Sequence, residues 1–136
     1  MPEPLQEIIE DFQGATNQEK LELLLELSDE LPDLPKRFSD QKNMERVVEC
    51  QSPLFLAIEK DNDIINIFFS APPEAPTTRG FASILNQGVN HLPVDVLLSI
   101  DENIPDLLGL KKAISPLRLR GMSAMITRIK RKAKQL

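Results

Sequence analysis

Leu54-Phe55-Leu56-Ala57-Ile58-Glu59-Lys60-Asp61-Asn62-Asp63-Ile64-Ile65-Asn66-Ile67-Phe68-Phe69-Ser70 decides the fold. Leu54 to Glu59 is rich in aliphatic and aromatic side chains suited to a strand, and Lys60 to Asp63 carries polar turn chemistry. Ile64 to Ser70 then returns with Ile65, Ile67 and Phe69 on one face, the period-two pattern of a half-buried strand. The stretch predicts a β-hairpin. Upstream, Arg46, Val47 and Val48 approach it as a further strand over residues 46 to 49, so Cys50-Gln51-Ser52-Pro53 falls in the connection between the first two strands. Pro53 lacks a ladder donor and holds that connection open.

On the N-terminal side, Leu5, Ile8, Ile9 and Phe12 recur at helical spacing and Gly14 stops the segment. Thr16-Asn17-Gln18-Glu19 has the capping-box pattern, and Leu21, Leu24 and Leu25 continue one apolar face, so the two segments predict a helix hairpin. Leu31-Pro32 and Leu34-Pro35 end it, because proline disfavours helical geometry in the residue before it. Beyond Pro72-Pro73 the chain reads helical. Phe81, Ile84 and Leu85 share a face closed by Gly88; Pro93 opens a short helix from Val94 to Ile100; Pro105 opens another that closes at Gly109. Ser115-Pro116 starts the last helix, with a core stripe of Met122, Met125, Ile126, Ile129 and Ala133. The predicted fold is α+β: a small three-stranded antiparallel sheet packed by N- and C-terminal helices, in a single domain over residues 1–136.

The net charge of −5 conceals an asymmetry: residues 1 to 40 hold eleven Asp/Glu against three Lys/Arg, and residues 111 to 136 hold nine Lys/Arg and no acid. Such polarity can orient docking to a charged partner, although each half read alone is an ordinary solvated face. With no Trp or Tyr, and no Phe beyond Phe81, the basic end has no stacking platform, so nucleic acid is not expected as a partner. The acidic, polar N-terminus and the absence of an apolar run of roughly 18 residues predict no membrane span and a soluble, cytoplasmic protein.

Cys50 is the single cysteine of the chain. It has no partner for an internal disulfide, no resolving thiol and no multi-cysteine metal site, which leaves one-thiol or intermolecular chemistry. Lone cysteines commonly serve as small buried hydrophobes. Its neighbours Glu49, Gln51 and Ser52 are polar, however, and its place at a turn on a rigid sheet predicts a thiol presented for reach. Glu49 should raise the thiol pKa, whereas a guanidinium from Arg46, Arg79 or Arg118 could favour a thiolate or an anionic persulfide. His91, the one histidine, lies before Pro93 and is a poor basis for a Cys-His dyad. Paired-carboxylate hydrolysis, metal binding and phosphate cradling find no motif, and the five glycines are scattered.

Three ordered blocks carry a resemblance: Val47-Val48-Glu49-Cys50-Gln51-Ser52-Pro53-Leu54-Phe55; Pro76-Thr77-Thr78-Arg79-Gly80-Phe81; and Leu108-Gly109-Leu110 followed by Ser115-Pro116-Leu117-Arg118 and Gly121-Met122. Together they resemble the SufE family of cysteine desulfuration proteins over nearly the whole chain. The resemblance implies the compact fold shared with IscU-like scaffolds. It also implies a sulfur acceptor for a SufS-type cysteine desulfurase, a pyridoxal-phosphate enzyme. Cys50 matches the acceptor cysteine, which takes persulfide sulfur and passes it to a SufBCD-type iron-sulfur scaffold; in family members this cysteine lies in a loop over an apolar cavity and swings out to react. Arg118 matches the arginine of the family's Ser-Pro-x-Arg motif, and Arg79 its basic-Gly pair. The chain departs from the family pattern at Glu49, where Gly usually precedes the cysteine, and at Phe55, where Trp usually stands.

The expected function is therefore sulfur transfer on Cys50, with Gln51, Ser52, Arg79 and Arg118 shaping its pocket or stabilising the persulfide. The chain would act as carrier and desulfurase activator rather than stand-alone enzyme, with no metal and no cofactor of its own. Two alternatives remain: a regulatory module that binds a desulfurase while Cys50 only packs, and a one-cysteine thiol peroxidase, for which no residue is placed to polarise a peroxide bond. A homodimer stays open.

Overall fold

The helix hairpin forms where its caps dictate. In the computed structural model, which describes residues 1–136, α1 spans Glu3–Gln13 and α2 spans Asn17–Asp29. Thr16 Oγ1 accepts from the Glu19 N–H at 3.1 Å and Glu19 Oε1 accepts from the Thr16 N–H at 2.8 Å, closing the capping box. Such a cap stabilises by about 1 kcal/mol. The buried face of α2 runs through Leu21, Leu24, Leu27 and Ser28 and leaves out Leu25, which is 50% exposed. That face packs closely on the next long helix. Helix α3, Pro76–Gly88, lies across α2 so tightly that a Cβ on Gly80 would sit 2.3 Å from the Leu24 carbonyl oxygen.

The sheet has four antiparallel strands, one more than the sequence predicts, in the order β1 (Glu45–Arg46), β2 (Phe55–Asp61), β3 (Ile64–Ser70) and β4 (Leu92–Pro93). Leu56 pairs with Phe69, Ile58 with Ile67 and Lys60 with Ile65, so the predicted Ile65-Ile67-Phe69 face turns inward. The extra strand leaves no pattern in the sequence because it is two residues long and ends in proline. A side chain extends it: the Asn90 carboxamide accepts from Ile67 N–H at 2.7 Å and donates to Ile67 C=O at 2.9 Å, as a backbone rung would. The first strand is shorter than expected. Pairing with β2 covers Glu45 and Arg46 only, and after Val47 N–H donates to Leu54 C=O the chain leaves the ladder.

A 3-10 segment, Lys36–Gln41, was not legible in the sequence and covers the outer side of the sheet. Phe38 packs on Phe68 with ring centroids 5.0 Å apart, and Arg37 stacks on both rings while bonding Glu59. Three helices follow the sheet region: α4 (Val94–Ser99), α5 (Ile104–Leu107) and α6 (Pro116–Gln135). The Met122, Met125, Ile126, Ile129 and Ala133 stripe of α6 is buried, as its spacing predicts. One cluster of buried apolar side chains unites helices and sheet. No helix is long and apolar enough to cross a membrane.

Candidate functional site

Three segments converge on the single thiol. The loop after β1 carries Cys50, Gln51 and Ser52; Thr78 comes from the first turn of α3; Leu117, Arg118 and Gly121 come from the start of α6. They line a pocket of about 60 Å³. A second hollow of about 210 Å³ adjoins it, sharing Ser52, Thr78 and Arg118 and continuing along Glu74 to Thr77. Both helices thus present their first turns, where backbone N–H groups lack intrahelical acceptors and negative charge is favoured.

Cys50 itself is turned inward, as the family resemblance implies, and is not presented for reach as its polar neighbours at a turn predict. It is 8% exposed and is a free thiol. Its Sγ rests against α6, where a Cβ added to Gly121 would lie 2.8 Å from the sulfur and 3.4 Å from Cys50 Cα. The loop turns inward at a tight bend in which Cys50 N–H donates to Val47 C=O at 3.1 Å. Burial, foremost, and the neighbouring Glu49 push the thiol pKa up to about 11, against opposing pulls from Arg128 and Arg46. The resting thiol is protonated at neutral pH and therefore a weak nucleophile.

Of the residues expected at the site, the structure brings together Cys50, Gln51, Ser52 and Arg118. Arg79 lies elsewhere. Its Nε donates to Ser28 C=O at 2.9 Å and its Nη1 to Ala71 C=O at 2.6 Å, so the guanidinium ties the end of α2 to the chain leaving β3 and does not line the Cys50 pocket. Its position near a helix start made it resemble a site residue, but its backbone acceptors could not be read from local sequence. His91 bonds Asn66 at 2.7 Å and takes no part in the pocket. Thr78, Leu117 and Gly121 were missed as lining residues, although a glycine inside the periodic α6 stripe signals close backbone approach. No cluster of three or more His, Cys, Asp or Glu is arranged to hold a metal ion.

Glu49 has its own partner. Its Oε1 accepts from Arg128 Nε at 2.9 Å and lies 2.8 Å from Nη2, while Nη1 of the same guanidinium pairs with Glu45. Arg131 and Lys132 also reach Glu45, at 2.9 and 3.3 Å. The Glu49 carboxyl is held below its usual range by its own backbone N–H and by Arg128.

All three segments of this pocket fall within the match of a known family model: the model for SufE, described as an Fe-S metabolism associated domain, matches residues 6–133. The chain belongs to the SufE family. As a SufE-family protein it is 51% identical, over 99% of its length and 94% of the relative's, to an uncharacterized SufE-like protein of Mycobacterium tuberculosis. It is 30% identical to SufE-like protein 1, chloroplastic/mitochondrial, of Arabidopsis thaliana, covering 36% of that longer protein. The solution structure of a hypothetical protein from Thermus thermophilus shares the SufE-family fold of this chain with a TM-score of 0.85, at 28% identity over 99% of this chain and 96% of that one. The family places the protein in Fe-S metabolism.

Proposed function

We propose that this SufE-family protein accepts sulfur on Cys50 from a SufS-type cysteine desulfurase, stimulates that enzyme, and hands the sulfur to a SufBCD-type scaffold in the cytoplasm. The observation that carries the reading is the solitary thiol set in a polar pocket between the first turns of α3 and α6, inside a family matched over residues 6–133. In the transfer, the Cys50 thiolate attacks the outer sulfur of the donor's persulfide. The donor S–S bond breaks, its inner sulfur leaves as a thiolate, and Cys50 becomes a persulfide with the outer sulfur's hydrogen retained. Atoms and charge balance without oxidant or reductant. The reaction needs no cofactor on this chain; pyridoxal phosphate belongs to the desulfurase.

The chain's residues divide the work. Arg118 and the first-turn N–H groups of α3 favour an anionic sulfur in the pocket, whereas burial keeps the idle thiol protonated and the loaded sulfur away from competing thiols. Gln51 and Ser52 shape the mouth. Incubation with a SufS-type enzyme, cysteine and pyridoxal phosphate should add the mass of one sulfur atom to Cys50. Full desulfurase stimulation by Cys50→Ser would overturn the acceptor role and favour a module that binds a desulfurase while the thiol only packs, a second reading that the burial of Cys50 keeps alive.

A further inference from the structure

A thiol 8% exposed must leave its seat before it can meet a sulfur on another macromolecule, so the ties on its loop set how readily it does so. The loop hangs between two fully buried anchors, Val47 and Leu54. Within it the backbone makes two local bonds, Cys50 N–H to Val47 C=O and Leu54 N–H to Ser52 C=O. Two side-chain ties bind it to α6: the sulfur against Gly121, and Glu49 on Arg128. Gly121 offers a surface without a specific bond. Arg128 offers a charged, two-nitrogen grip.

We infer that Arg128 is the positioning residue of the Cys50 loop, a latch that holds the thiol inward through Glu49 while itself fixed to Glu45. Glu45 pairs with Arg128, Arg131 and Lys132 at the start of the sheet, so the Arg128 guanidinium, 14% exposed, stays in place when Glu49 departs. Its remaining edge, Nε and Nη2, faces Glu49, which is 44% exposed and so open to screening by salt. The arrangement gives the loop a fixed catch and a releasable handle. Arg128 does not line the pocket; besides its grip on the loop it exerts only a charge effect on the thiol, whose sign is opposite to that of the latch. The inference rests on the acceptor reading for its purpose, but the latch itself is read without any desulfurase.

The test is the alkylation rate of Cys50 in the folded protein with neutral iodoacetamide. The wild-type rate should rise about three-fold from low to high ionic strength, the scale of an exposed ion pair. Arg128→Gln should label about three-fold faster at low salt and lose the salt dependence. A pure charge effect has the opposite sign, because removing a cation near the thiol raises its pKa and slows alkylation. In a Glu49→Gln background Arg128→Gln should add no further acceleration. Labelling of folded Arg128→Gln at or below the wild-type rate, or equal acceleration in both backgrounds, overturns the latch. If that variant fails to fold, Arg128→Lys, which keeps the charge without the fork, is read by the same sign. Expected labelling with no sulfur transfer to Cys50 would leave the latch standing and remove only the acceptor function.

Discussion

Gly121 and Cys50 meet with no room for a methyl group between them: a Cβ on the glycine would stand 2.8 Å from the cysteine sulfur. The thiol's inward rest position is thus written partly into a helix more than sixty residues downstream. Gly121→Ala should lift the Cys50 loop off α6 and speed alkylation of the thiol. The gain in helix propensity, about 1 kcal/mol, offsets part of the overpacking cost, leaving a net loss of about 1 kcal/mol and a Tm lower by about 3 °C. Unchanged labelling in this variant would mean that the seat is not formed by Gly121.

The buried thiol should make stability fall at alkaline pH. Its pKa is raised from 9.0 in the unfolded chain to about 11 in the fold, so the folded state binds more protons across that interval. The contribution is fully present below pH 9 and is lost as pH rises toward 11. Wild type should therefore lose up to about 2 kcal/mol that Cys50→Ala does not lose, measured as the difference between their denaturation curves from pH 8 to 11.

Arg79 offers a test of structure against chemistry. Arg79→Gln removes two charge-assisted bonds to the Ser28 and Ala71 carbonyls and should destabilise by about 2 kcal/mol in urea unfolding. Sulfur loading of Cys50, assayed well below the transition, should remain at wild-type level. A loss of loading without a loss of stability would return Arg79 to the site.

At Gly80 the obstacle is backbone. Gly80→Ala would drive a methyl to 2.3 Å from the Leu24 carbonyl oxygen, which no rotamer change relieves. The α2–α3 crossing should open at a cost of about 3 kcal/mol, visible in thermal unfolding. A Tm equal to wild type would show that the crossing is not tight.

The legible parts of this fold are those governed by local pattern. The Thr16–Glu19 capping box, the Ile65-Ile67-Phe69 alternation and the α6 stripe follow from neighbours in sequence, and the structure matches them. The parts that misled are set by long-range contact. Leu25 has helical spacing but faces water, because the tertiary packing of α2 selects the face of Leu21, Leu24, Leu27 and Ser28. Asn90 completes a strand with its side chain, a role no residue type announces. At the site, Cys50, Gln51, Ser52 and Arg118 were found from motif blocks. The inward turn of the thiol follows from the family resemblance and not from its polar neighbours, and the Glu49–Arg128 pair follows from neither, since it joins residues far apart along the chain.

The sheet's two flanking strands, Glu45–Arg46 and Leu92–Pro93, are each a single pair of residues, and the second ends on an imino acid. On the outer side of β2 the pairing with β1 stops at Leu56, so the free edge is the short run Ala57 to Asp61, which closes on the charged Glu59, Lys60 and Asp61. Those three charges, more than any lack of an edge, disfavour amyloid-like stacking on a hairpin as greasy as Ile64 to Phe69.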